Sequence, residues 1–343
     1  MKRRTLLGGG VAAATVVATP VISQDRVSLS LLTDRGDAAS SLSDRIGAVS
    51  GGRISVDVST ATASDTAGFL DQVSGGGADM YLTSHDAFVS RNPAFGLFAA
   101  MPGGMSPSEL ESWVTVGDGR FMLDLLGEEF GIKAFMAGDD GAMPMWARRP
   151  IAGLSDLQSG GVASSGLGLR VLSDMGVQNV VDILSGGDLS SVAAIEGLSV
   201  AQMTRSGLLG AFPHMITPNA GRPSATLGAG VNLSRWSSLS EADQLLIERC
   251  IMAEHGVQRS LALHNNVVAL SEAGSAVTSH EMPQDVWDAQ IASANTVLAQ
   301  MFDAGDIAAD SADAYLFFIG DVAGWSEIGE TAYFLGRKQA LTL

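Results

Sequence analysis

Val27-Ser28-Leu29-Ser30-Leu31 alternates apolar and polar residues, Asp37 to Val49 has helical spacing and runs into Gly51-Gly52, and Ile54-Ser55-Val56-Asp57-Val58 alternates again. Alternation of period two puts one side of a strand into a core and the other outside it. An amphipathic run that ends at glycine is a helix with its stop. The unit then repeats. Ser64 to Val73 reads as a helix closed by Gly75-Gly76-Gly77, and Ala78-Asp79-Met80-Tyr81-Leu82 as a short buried strand. Strand, helix, strand, helix, strand is the pattern of a parallel α/β layer, so the fold class expected is α/β.

Further along, Ser106-Pro107-Ser108-Glu109 has the residues of a capped helix start, with proline in the first turn, and the helix continues through Trp113. Arg120 to Phe130 reads as a helix, Ile132 to Met136 as a strand, and Leu154 to Gln158 as a helical turn. Gly168 to Met175 and Asp188 to Glu196 read as short helices of a second α/β unit. From residue 239 the pattern becomes helical: Glu241 to Asn266, Pro283 to Ala304 and Ala309 to Leu335. Apolar stripes such as Tyr315, Phe318, Val322, Trp325 and Ile328 suit packing on the lobes or on a partner subunit.

The N-terminus points to export. Lys2, Arg3 and Arg4 precede the apolar stretch Leu6 to Ala18, then Pro20 and Val21-Ile22-Ser23. A basic start, a short apolar core and small residues after it make a signal peptide over residues 1–23. The paired arginines fit a twin-arginine signal as well as a general secretory one. The chain carries a formal charge of −17, and loss of that segment would take it to about −20. Such acidity argues against nucleic acid and against an anionic membrane surface as partners. The single cysteine, Cys250, excludes an intrachain disulfide and sits in an amphipathic run that buries it.

Chemical motifs are sparse. His85, His214, His255, His264 and His280 have no metal-ligand spacing, and no paired cysteines accompany them. Gly166-Leu167-Gly168-Leu169-Arg170-Val171 begins like a dinucleotide fingerprint but has Val171 at the third glycine. There is neither a phosphate loop nor a nucleophile elbow. No motif therefore supports an enzyme, a cofactor or a metal, and none of the three is expected.

Four segments, in order, carry a family resemblance. They are Asn92-Pro93-Ala94-Phe95-Gly96-Leu97-Phe98 with Pro102-Gly103-Gly104-Met105-Ser106-Pro107, Trp146 to Leu157, Leu184-Ser185-Gly186-Gly187-Asp188, and Val231-Asn232 with Trp236. Together they resemble the solute receptors of TRAP transporters, in particular the branch that binds 2-oxo acids. The resemblance implies a two-lobed periplasmic binding protein fold, type II-like, with long C-terminal helices. It implies a small organic solute, most simply an organic acid, bound in the interlobe cleft. It also implies membrane transporter subunits as partners and, in some relatives, a homodimer. On this reading residues 24–142 and 227–282 form lobe 1, residues 143–226 form lobe 2, and residues 283–343 are helices packed across the lobes or on a partner.

Several positions depart from the family. The ligand-gripping arginine falls at Ala163, beside Ser164. The metal-binding glutamate and the tryptophan after it fall at Met203 and Thr204, a second glutamate at Arg222, and a glutamine at Met143. Arg222, biased to extended backbone by Pro223, is expected near the cleft as the replacement cation, with Arg205 second. The candidate ligand-binding set is Arg222, Arg205, Met143, Ala163, Ser164, Met203, Thr204 and His85. The competing expectation is a paralogue with a degenerate pocket and a non-transport interaction role.

Overall fold

A computed structural model describes residues 26–219 and 221–341 of the chain. The predicted signal peptide, residues 1–23, lies outside the described residues. The strands, in chain order, are β1 (Val27–Thr33), β2 (Ile54–Thr60), β3 (Met80–Ser84), β4 (Ile132–Asp139), β5 (Met145–Ala147), β6 (Val162–Ser164), β7 (Val180–Asp182), β8 (Ala194–Ile195), β9 (His214–Thr217), β10 (Thr226–Asn232) and β11 (Thr278–Glu281).

They form two sheets, ordered β2-β1-β3-β10-β4 and β11-β9-β5-β8-β6-β7. In the first sheet the alternation of β1 and β2 sends Leu29, Leu31, Ile54 and Val56 into one cluster with Ala39, Leu42 and Ile46 of the Gly36–Val49 helix. Each such side chain, fully buried, contributes about 1.5–3 kcal/mol. β1 lies parallel to β2 and β3, as the sequence pattern predicts. The layer as a whole is mixed, because β10 returns from the second lobe and inserts antiparallel between β3 and β4.

Two further expectations are corrected. Residues 188–196 are not a helix: a single turn, Leu189–Ser191, precedes β8. And β11 pairs with β9, so residues 278–281 belong to the second sheet and not to lobe 1. The cause of the second lies in the Glu241–Ala273 helix before it. At 33 residues, it is about 50 Å long. Its Ile247, Cys250 and Ile251 pack in the first lobe's core, and Ala269 packs in the second lobe's. The helix thus delivers the chain to the other lobe.

The helices Gln284–Ala304 and Ile307–Ser326 complete a core that both lobes share. It joins Phe88, Phe95 and Trp113 from the first lobe to Leu167 and Val171 from the second, with Val286, Val297 and Tyr315 from the C-terminal helices. Ser106 and Glu109 form the expected capping box, and the Tyr315 hydroxyl accepts the Met105 amide at 2.7 Å.

Candidate functional site

The chain passes between the lobes after β4 and again before β10, and Asp140, Met143, Arg222 and Ala225 of these crossings line the interlobe cleft. Asp86 stands at its centre. It lies in a one-turn helix, His85–Phe88, just after β3, where its amide donates to Ser84 Oγ. Its Oδ2 accepts from Arg222 Nη2 at 2.5 Å and from Ser165 Oγ at 3.1 Å. Arg222 Nη1 donates to the Ser165 carbonyl at 3.0 Å. Both charged side chains are 1 % exposed. A fully buried ion pair of this kind joins the first lobe to the second crossing. Two of its atoms, Asp86 Oδ1 and Arg222 Nε, are buried with no hydrogen-bond partner.

A second network lies behind it. Ser164 Oγ donates to Glu196 Oε1 at 3.0 Å. Gln290, on the Gln284–Ala304 helix, donates to Glu196 Oε2 at 3.4 Å and to Asn219 Oδ1 at 3.0 Å. Asn219 in turn donates to the Met143 carbonyl. Burial pushes the Glu196 carboxyl up to about 7, against the opposing pull of Arg222 and Ser164. A third group ties the first crossing: Asp140 accepts from Arg35 at 3.1 Å and from Gln202 at 3.0 Å.

Two cavities flank Asp86. One, of about 290 Å³, is walled by Thr66, Ala67 and Val89 of the first lobe and Gly166, Leu169 and Asp182 of the second. The other, of about 40 Å³, lies beside Arg222, Arg35, Asp140 and Met143. The small one has room for roughly one water molecule.

The predicted residues divide. Arg222 and Met143 line the small cavity, and Ser164 meets Glu196 behind it. Ala163 and Met203 are packed in the second lobe's core. Thr204 and Arg205 are exposed on the Val200–Arg205 helix, where Thr204 Oγ1 donates to its own helix backbone. His85 is buried, 3.1 Å from the Tyr81 hydroxyl and against Phe88 and Phe95. Burial lowers its pKa to about 4, which makes it a neutral packing residue at neutral pH. Asp86, Glu196, Asp182 and Gln290 went unpredicted. None of them belongs to a local motif, and only the fold brings them together.

No protein-family model matches the chain. A periplasmic protein of Nostoc sp. that binds monocarboxylate 2-oxoacids is 27 % identical over 216 residues, which cover 61 % of this chain and 57 % of that one. Among solved structures, a TRAP transporter solute-binding protein of Bordetella bronchiseptica, a dimer with calcium and picolinate, superposes with a TM-score of 0.86 at 20 % identity, covering 93 % of this chain and 99 % of that one. One of Colwellia psychrerythraea, with calcium and pyruvate, gives 0.84 at 21 %, covering 91 % and 100 %. This chain therefore has the two-lobed fold of those binding proteins. Among the described residues, the small cavity does not suit a calcium ion. The Arg222 guanidinium is buried there on Asp86, and Met143 lines the same cavity, whereas calcium needs six or more oxygen donors.

Proposed function

We propose that this chain is an exported, periplasmic solute receptor of a TRAP-type transporter. It closes around one small organic solute between its lobes and delivers it to the membrane subunits. The observation that supports this most is a cavity of about 290 Å³ with walls from both lobes, because closure of the lobes is then what encloses the solute. Residues 1–23 direct export. Recognition is metal-free, and Arg222 holds Asp86 in the place where a carboxylate ligand would otherwise meet a cation.

A second reading is a receptor fold whose pocket has closed for good and which serves an interaction role. The Asp86–Arg222 pair favours it, since Asp86 already occupies the guanidinium. Thermal melting with a panel of 2-oxo acids, hydroxy acids and amino acids separates the two readings. A ligand that binds only the native state at a hundred times its Kd stabilises by about 2.7 kcal/mol, so a true solute raises the melting temperature. A flat profile across the panel at millimolar concentrations would rule out the receptor reading.

A further inference from the structure

We infer that the larger cavity is the solute chamber and that it takes a small zwitterionic amino acid, with the ammonium inward against Asp86 and Asp182 and the carboxylate outward toward Arg170. The inference rests on the receptor reading and specifies its ligand.

Asp86 carries the argument. Its Oδ2 has two donors, Arg222 and Ser165, while Oδ1 is buried and has none. A buried acceptor left without a donor costs about 1–3 kcal/mol, more when it is charged. Oδ1 lies against Gly166. A Cβ added to Gly166 would sit 2.2 Å from it, and Gly166 walls the larger cavity. Gly166 lines the larger cavity and not the smaller one, so a ligand in the larger cavity is the candidate for the missing donor.

A second carboxylate, Asp182 at the end of β7, lines the same chamber. Its Oδ1 accepts the Leu184 amide at 2.9 Å, and the Ser185 amide also stabilises the carboxylate. Burial, and to a lesser degree repulsion from Asp86, raises the Asp182 pKa. A cationic donor between them relieves both the repulsion and the orphaned oxygen. Arg170, also on the cavity wall, is exposed to solvent and donates only a 3.4 Å bond to the Val89 carbonyl. Among the described residues lining the chamber it is the cationic one. Acid within and base at the rim match an amino acid and mismatch a 2-oxo acid, which has no donor for Oδ1. The volume admits roughly ten water-sized groups.

Alanine, lactate and pyruvate share one carbon frame and differ at C2, so calorimetric titration with these three, followed by the standard amino acids, tests the class. We expect an amino acid to bind at least about tenfold more tightly than its hydroxy- and oxo-acid analogues, since an N–H donor to a carboxylate is charge-assisted. Asp182→Asn should weaken that binding by about tenfold. Ala67→Trp, at an exposed wall position, should abolish it with the ligand-free melting temperature unchanged. Tighter binding of pyruvate than of any amino acid would overturn the zwitterion and leave the receptor reading standing. Amino-acid binding that is indifferent to Ala67→Trp would overturn the chamber. No heat from any acid or amino acid would overturn both.

Discussion

Arg222 and Asp86 are each other's main counter-charge in a space that admits almost no water. Removing one member of a buried pair strands the other, and such stranding typically costs about 3–5 kcal/mol. Arg222→Met is therefore expected to destabilise the protein by that order in chemical denaturation. Asp86→Leu added to it should recover most of the loss, because an apolar pair of similar volume is often neutral. If the double variant is as unstable as the single one, the pair is not the source of the effect. Half of this site was legible beforehand. Pro223 and the altered family turn marked Arg222, because both are local. Its partner was not marked, because Asp86 lies 136 residues away in the chain and has no local pattern. Thr204 and Arg205, read from their closeness in sequence to Met203, lie exposed on a short helix and line neither cavity.

At the scale of elements, the Asn92–Phe98 segment explains how the lobes come so close. Asn92 Oδ1 accepts the Ala94 amide and starts the short helix Ala94–Leu97. Gly96 in that helix receives Leu167 of the second lobe, and a Cβ there would lie 2.4 Å from Leu167 Cγ. Gly96→Ala is expected to cost about 1–3 kcal/mol, the usual range for overpacking. Leu167→Ala in the same chain should return part of it. Thermal melts of the three variants check this, and an additive double variant would refute the contact. Strands with clear alternation, β1 and β2, were readable from the sequence. β10 was not: its Thr226-Leu227-Gly228-Ala229-Gly230 run has small residues where an alternating strand would show large ones, because the rings of His85 and Tyr81 lie over Gly228 and Gly230. The short strands of the second sheet, two to four residues each from β5 to β9, are too brief for any period to register.

For the whole molecule, the outer faces of the C-terminal helices stand out. Phe317 is 71 % exposed, and Trp325 and Ile328 are each 69 % exposed. Tyr333, Phe334 and Leu335 continue the surface. Large exposed apolar side chains concentrated on these helices suit an interaction surface, and a second copy of the chain is the occupant we propose. Phe317→Glu with Trp325→Glu is expected to convert a dimer to a monomer in light scattering at micromolar concentration. A wild-type chain that is already monomeric there would assign the surface elsewhere. The Glu241–Ala273 helix has a separate consequence. A rod of about 50 Å seated at one end in each lobe cannot shorten, so it leaves the lobes to swivel about its length instead of gaping like a book. Opening then proceeds as a shear across the cleft with little gain in girth. X-ray scattering is expected to register such a swing as a nearly constant radius of gyration, and a clear increase on opening would refute it.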